Sequence, residues 1–472
     1  MQFRSLVAMI ESLNCSQVSD LGQRQNKQMN SSKTRTLAIV ILVLLGACSA
    51  EGLDIPSSPL LATFERKSGL IAYIGLDGNI YTIDQSGGAQ TAITDDAGAQ
   101  SETGTSRFYN FPTWSQTDRT LAFLGISVDE NGAASAEIFS NSEGQENEIL
   151  FQSSNDFPFY LYWSPDGNNL SFLSRGLSGG AMALQIANAE GSGSTILDTG
   201  TPYYWAWSPT ESQIIVHVGG AASLNPGEAK LSLLSVGSSV RERGLKLLPS
   251  AFQAPVFSSN GDYVVFAAED QPGRSRLILA TPDGIIRAFI ADVEGPVAFD
   301  WAPQGDFIAY IESTRPANGF WGKLSFADLR NPQNPSIIET DADNVIAFFW
   351  SPDGEQVAYF VPAIIADENQ EEPASSQSQE PEIFLVMYLA NAQDGSTRQI
   401  TSFLPSEGFL NILPFFDQYQ RSMTIWSPDG NYIVVSALAD DEGTPGIFVI
   451  PSSGSLDPRF LVEGALAFWS YE

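Results

Sequence analysis

Trp163-Ser164-Pro165-Asp166-Gly167, Trp350-Ser351-Pro352-Asp353-Gly354 and Trp426-Ser427-Pro428-Asp429-Gly430 are three copies of one pentapeptide, each followed by an apolar run. Weaker copies begin at Trp114, Trp207, Phe257 and Trp301, so that successive anchors stand 49, 44, 50, 44, 49 and 76 residues apart. A Pro-Asp-Gly corner suits a tight hairpin, because glycine takes positive φ without steric cost. A unit of this period, an aromatic end followed by a turn and short strands, is the signature of one four-stranded propeller blade. The chain therefore reads as all-β, a single β-propeller.

The third repeat shows the pattern. Phe159–Trp163 reads as strand A, Leu170–Leu173 as strand B, Met182–Ala187 as strand C and Thr195–Leu197 as strand D. The segment before the first anchor offers strands B, C and D at Ile71–Ile74, Ile80–Ile83 and Gln90–Ile93, but no strand A. Its missing strand reappears at the other end of the chain: Ala465-Leu466-Ala467-Phe468-Trp469-Ser470 is a repeat that stops after its first strand. The expectation is a ring of eight blades, closed by the C-terminal strand pairing into the N-terminal blade. Seven blades is the alternative, if one copy is degenerate. The anchoring indoles are expected in the core between blades, each burial being worth roughly 2–3 kcal/mol.

The Trp-Ser-Pro-Asp-Gly turn followed by an apolar strand resembles the repeats of TolB-type propellers, and of the related WD40-like propellers of prolyl-oligopeptidase-like proteins. The likeness runs from about Ser68 to Glu472. It implies the propeller fold and leaves the ligand open, since one scaffold hosts many functions. TolB carries an α/β domain ahead of its propeller. About twenty residues separate Cys48 from the first strand here, so that domain is not expected, and partners of TolB such as the peptidoglycan-associated lipoprotein are not implied.

The N-terminal region reads as an address. Leu37–Ala47 is an apolar run of 11 residues, too short for a bilayer span of about 20. Lys33 and Arg35 precede it and Leu45-Gly46-Ala47-Cys48 closes it, the layout of a secretory signal. The ending resembles the bacterial lipoprotein box, which implies that Cys48 becomes the lipidated first residue. Met29 would start a conventional signal peptide, so residues 1–28 are expected not to be translated. The expected divisions are 1–47 signal region, 48–67 linker and 68–472 propeller. Within the propeller, 362–381 (PAIIADENQEEPASSQSQEP) is too poor in apolar residues to order itself and explains the long last step.

Charge narrows the partners. The whole chain carries −32 and the part from Cys48 onward −35. That argues against nucleic acid and against a basic patch on anionic lipid. Cys15 and Cys48 are the two cysteines, so the propeller has no disulfide or thiolate metal site. The single histidine, His217, sits in the apolar run Ile214–Val218 and reads as a sheet residue. No Gly-x-Ser-x-Gly elbow, phosphate loop, dinucleotide fingerprint or His/Cys cluster is present. No catalytic residue, metal or cofactor is expected.

Strand direction alternates, so A–B turns share one face of the disc while D–A and B–C connections share the other. The long segments fall in the second class: 95–110, 127–135, 219–228, 312–322, 362–381 and 401–421. Long loops on a rigid scaffold are where binding concentrates. Aromatics crowd the same face, and the expected ligand-binding set is Tyr109, Phe111, Phe159, Tyr160, Tyr203, Tyr204, Trp205, Phe415 and Phe416. The acids Asp95, Asp96, Asp129, Glu130, Glu269, Asp270, Asp440, Asp441 and Glu442 share these loops without forming a compact ligand loop. The expected function is a monomeric, extracytoplasmic lipoprotein whose propeller binds a protein or a cell-envelope glycan without bond chemistry. The alternative is a glycan hydrolase or lyase working through carboxylates.

Overall fold

The computed structural model describes residues 67–472 except 99–103, 177–179, 192, 211–212, 220–228, 238, 251–252, 272, 315–319 and 365–382. Eight antiparallel sheets stand in a ring as a β-propeller. Blade 1 is the composite one: Leu466–Trp469 is its inner strand, beside Ile71–Ile74, Ile80–Ile83 and Thr91–Ala92. The register runs Ile71↔Trp469 to Ile74↔Leu466, and Ala465 N–H to Ile74 O (2.8 Å) and Ser470 N–H to Leu70 O (2.7 Å) extend it. Head and tail of the propeller thus share one sheet, as the truncated last repeat implied.

The repeated pentapeptide explains the blade joints. In each sharp copy the serine hydroxyl donates to the aspartate two residues on, at 2.6 Å for Ser351 and 2.7 Å for Ser427. That aspartate in turn caps a backbone N–H, Glu355 at 3.0 Å and Asn431 at 3.1 Å. Gly354 has φ 70°, and a Cβ there would lie 2.2 Å from Gln304 O in the neighbouring turn, so glycine is required twice over. The indole crosses to the preceding blade. Trp163 Nε1 donates to Thr113 O (3.1 Å), Trp350 Nε1 to Asp300 O (3.2 Å) and Trp426 Nε1 to Phe349 O (3.0 Å). Each accepting carbonyl belongs to the inner strand of the blade before.

Four inner strands are irregular, and this shapes the middle of the ring. In blade 2 the register slips between Asn110 and Thr113, with Phe111 at φ 53°. Blade 3 slips between Phe159 and Leu161, with Tyr160 at φ 54°. In blade 5 the inner strand is split into Leu248–Pro249 and Val256–Phe257, both paired with Val264–Gln271. Blade 8 is split most widely: Pro405 bridges Ala437 and Trp426 bridges Ile433, while the residues between leave the sheet. Its three outer strands are Tyr432–Leu438, Pro445–Pro451 and Arg459–Glu463; the first two pair without a break, and the register of the outer pair shifts between Ile447 and Phe448.

Two expected boundaries change. Thr397–Phe403 is the outer strand of blade 7, so 401–421 is not a single D–A connection. Residues 362–364, expected in the insertion, belong instead to the strand Gln356–Ile364; the rest of that expected segment, 365–381, lies outside the described residues, as do Cys48 and the whole of 1–66.

Candidate functional site

The segment released from blade 8 folds into two short helices, α1 (Glu407–Ile412) and α2 (Phe416–Tyr419), joined by a 3-10 turn over Leu413–Phe415. Ser406 caps α1 by accepting from Phe409 N–H at 3.2 Å, and its own hydroxyl donates to Ala465 O at 3.0 Å. Gly408 lets the helix approach, since a Cβ there would meet Ala465 O at 2.5 Å. Phe409 packs edge-on to Phe360 and Phe403 of blade 7, and Phe416 packs against Phe348, Phe349 and Phe320.

Two polar residues bind this segment to the far side. Gln418 takes over an inner-strand pairing position: its side chain accepts from Trp205 N–H (3.1 Å) and donates to Trp205 O (2.9 Å), while its carbonyl accepts from Tyr160 Oη (2.7 Å). Arg421 donates to Pro255 O, to Ala254 O (2.9 Å) and to Phe299 O (3.5 Å), and pairs with Asp300 at 3.3 Å. Its own carbonyl accepts from Gln116 Nε2 at 3.1 Å. A segment bonded to blades 2, 3 and 4 and equally to 6 and 7 crosses the axis of an eight-membered ring. It is a plug, seated in the split of blade 5.

Asp417 is fully buried on this plug, and neither of its carboxylate oxygens has a hydrogen-bond partner of regular geometry. Burial pushes its carboxyl up to about 7, against the pull of Arg421 and the backbone amides of Ala254 and Gln418, with Asp300 adding to the rise. Burial likewise raises Asp300 to about 6, with Arg421 opposing. His217 is buried in blade 4 with Nδ1 2.9 Å from Gln253 O, and burial lowers it to about 4. It is a neutral sheet residue facing the split of blade 5.

Beside the plug, on the long-loop face, a cavity of about 240 Å³ opens between blades 3 and 4. Phe159, Tyr160, Tyr203 and Tyr204 line it from the blades, and Phe415, Gln418 and Tyr419 from the plug; Leu173, Met182 and Pro202 complete its wall. Five of the nine aromatics expected to bind ligand therefore meet here. Phe415, 37% exposed, is the most accessible of them, and Phe159 and Tyr204 are half-buried.

The other four do not line it. Trp205 and Phe416 are 0% exposed, and the open aromatic mouth expected of them is corrected to core. Tyr203, Trp205 and Trp207 share the face of their strand packed on blade 3, and Trp205 Nε1 donates to Ser171 Oγ at 3.0 Å. Tyr109 is buried against Phe123 and Phe139 in blade 2, with its hydroxyl on Asp96 at 2.6 Å. Phe111 is half-buried in the packing around Trp163. Sequence reading missed Gln418, Asp417, Arg421 and Asp300. The available signal was Asp417 and Arg421 at helical i, i+4 spacing inside an aromatic stretch.

The loop acids mostly serve their own turns. Asp129 caps Asn131 and Ala133, Asp440 caps Glu442 and Thr444, and Asp270 pairs with Arg276 at 3.1 Å. Among the described residues no three His, Cys, Asp or Glu side chains converge on a metal position, and no helix is long and apolar enough to cross a membrane.

No family model and no curated protein matches the sequence. Among solved structures the chain is similar to the dihydro-heme d1 dehydrogenase NirN, at 12% identity and TM-score 0.48 over 85% of this chain and 75% of that one. It is also similar to an oligogalacturonate lyase from Vibrio parahaemolyticus, at 14% identity and TM-score 0.43 over 83% and 99%. TolB from Acinetobacter baumannii is similar at 12% identity and TM-score 0.34 over 77% and 80%. What the chain shares with these proteins is a likeness of fold alone.

Proposed function

We propose that this protein is an extracytoplasmic, lipid-anchored binding scaffold that takes an apolar or aromatic side chain of a partner protein into the cavity between blades 3 and 4, and that it performs no bond chemistry. The cavity beside the plug carries this reading. It is apolar and of a size for one large side chain, and two accessible phenylalanines flank it. A protein partner suits it better than a glycan. Sugar recognition needs spare donors and acceptors, whereas Tyr160, Tyr203 and Gln418 are already committed to Gln418 O, Asp198 and the Trp205 backbone. The carboxylates at the centre, Asp417 on the plug and Asp300 against it, are both buried, which speaks for binding rather than hydrolysis.

Phe415→Ala and Phe159→Ala should each weaken capture of the partner from solubilised envelope by about tenfold or more, the scale of an interface anchor. Both positions are partly exposed, so the thermal midpoint should move little. Undiminished capture by both variants would move the site elsewhere. Release of new reducing ends or unsaturated products from envelope glycans would make the protein an enzyme instead. Support for the anchor comes from the Leu45-Gly46-Ala47-Cys48 box at the end of a short apolar run. Cys48→Ser should shift the protein from the membrane to the soluble fraction, and persistent membrane association would remove the lipoprotein assignment.

A further inference from the structure

The plug buries one cation and two carboxylates. Arg421, Asp300 and Asp417 all lie within the ring, with side chains of Arg421 and Asp300 only 4% and 12% exposed. Arg421 already spends its guanidinium on three carbonyls and on Asp300. That single cation therefore has to serve two carboxylates, Asp300 by direct pairing and Asp417 by its field alone. The other titratable groups acting on this cluster are the phenols of Tyr160 and Tyr162 on blade 3, Tyr204 on blade 4, Tyr419 on the plug and Tyr471 beyond blade 1. Each is neutral through the physiological range, and among the described residues blades 5 and 7 add no charge there. With both carboxylates ionised the sealed cluster would carry a net negative charge, which a low-dielectric interior penalises strongly.

We propose that one buried proton, carried by the Asp417 carboxyl, holds the plug in the channel, and that its loss loosens α1 and α2. Phe415, Gln418 and Tyr419 belong both to the plug and to the wall of the apolar cavity. Loosening the plug therefore removes one side of that cavity, and the site becomes complete only when the proton is present. This goes beyond the binding role and does not depend on it, because the plug can be followed without any partner.

The sign is set by linkage. Asp417 is raised from 3.8 to about 7 on burial. The seated plug keeps a proton that the released plug loses, so seating is favoured below about pH 4 and the advantage drains away as pH rises to about 7. His217 acts the other way, losing stability as pH falls from 6.5 to about 4, and does not touch the range above neutrality.

Hydrogen–deuterium exchange of the full chain tests this, with rates corrected for intrinsic pH dependence. Protection of amides in 407–422 should fall by on the order of tenfold between pH 5.5 and pH 8.5, while the blade 5 strand Val264–Gln271 keeps its protection. In Asp417→Asn the fall should vanish, because the neutral amide needs no proton. Asp300→Asn should also flatten the response by leaving Arg421 to the single remaining carboxylate, and it serves if Asp417→Asn does not fold. Equal plug protection at both pH values in the unaltered chain, or an unchanged fall in a folded variant, would overturn the proposal.

Discussion

Removing the last eight residues, by ending the chain after Gly464, should abolish cooperative folding. The inner strand of blade 1 would be lost, and with it Phe468 and Trp469, which are 1% and 0% exposed. Four backbone pairings to Ile71–Ile74 would go, together with the Trp469 Nε1 bond to Ser68 O at 2.8 Å and the Trp469 N–H bond to Thr424 O at 2.8 Å. That last contact joins blade 1 to the end of the plug segment, so one strand holds two joints of the ring. Trp469→Ala alone should cost about 3–5 kcal/mol, a large part of the roughly 5–15 kcal/mol that stabilises a typical domain. Loss of the whole strand exceeds this. Urea denaturation followed by tryptophan fluorescence measures it. A truncated chain that unfolds at the same urea midpoint as the full one would show that the ring does not depend on its closing strand.

Arg421→Ala ranks second. It leaves the Asp300 carboxylate buried without its cation, and deprives the carbonyls of Ala254, Pro255 and Phe299 of their donor. Breaking one side of a buried ion pair typically costs about 3–5 kcal/mol. Arg421→Met tests whether charge or packing matters, because it keeps the apolar stem. It should cost nearly as much, since the stranded carboxylate is the source of the penalty. Pairing it with Asp300→Asn should restore part of the loss, the two changes being coupled through one contact. Chemical denaturation of the single and double variants at fixed pH gives the coupling. If the double variant loses the plain sum of the two single losses, the ion pair does not hold the plug.

The blades were legible because their chemistry is local. A serine, a proline, an aspartate and a glycine within five residues close one turn among themselves, and the adjacent indole needs only the next sheet to pack on. The closing strand was legible for a related reason: a repeat that stops after one strand and another that lacks that strand complement each other. The aromatic site was half legible. Side-chain alternation assigns Trp205 and Tyr204 to opposite faces of a strand, but it does not say which face a neighbouring blade covers. At Phe111 and Tyr160 the alternation itself breaks, because a bulge inserts one extra residue and reverses the parity of the rest of the strand.

The plug was not legible at all as a plug. Residues 401–421 read as an aromatic loop, yet Gln418 finds its partners Tyr160 and Trp205 at separations of 258 and 213 residues, and Arg421 reaches Pro255 across 166. The turn chemistry and repeat spacing written in the chain settle the ring of blades, for those interactions act over a few residues or recur from blade to blade. Whether the centre is open or filled depends on which side chains from six different blades face the same axis. Only the assembled ring decides that, because burial and hydrogen-bond partnership there are properties of neighbours brought together from distant parts of the chain.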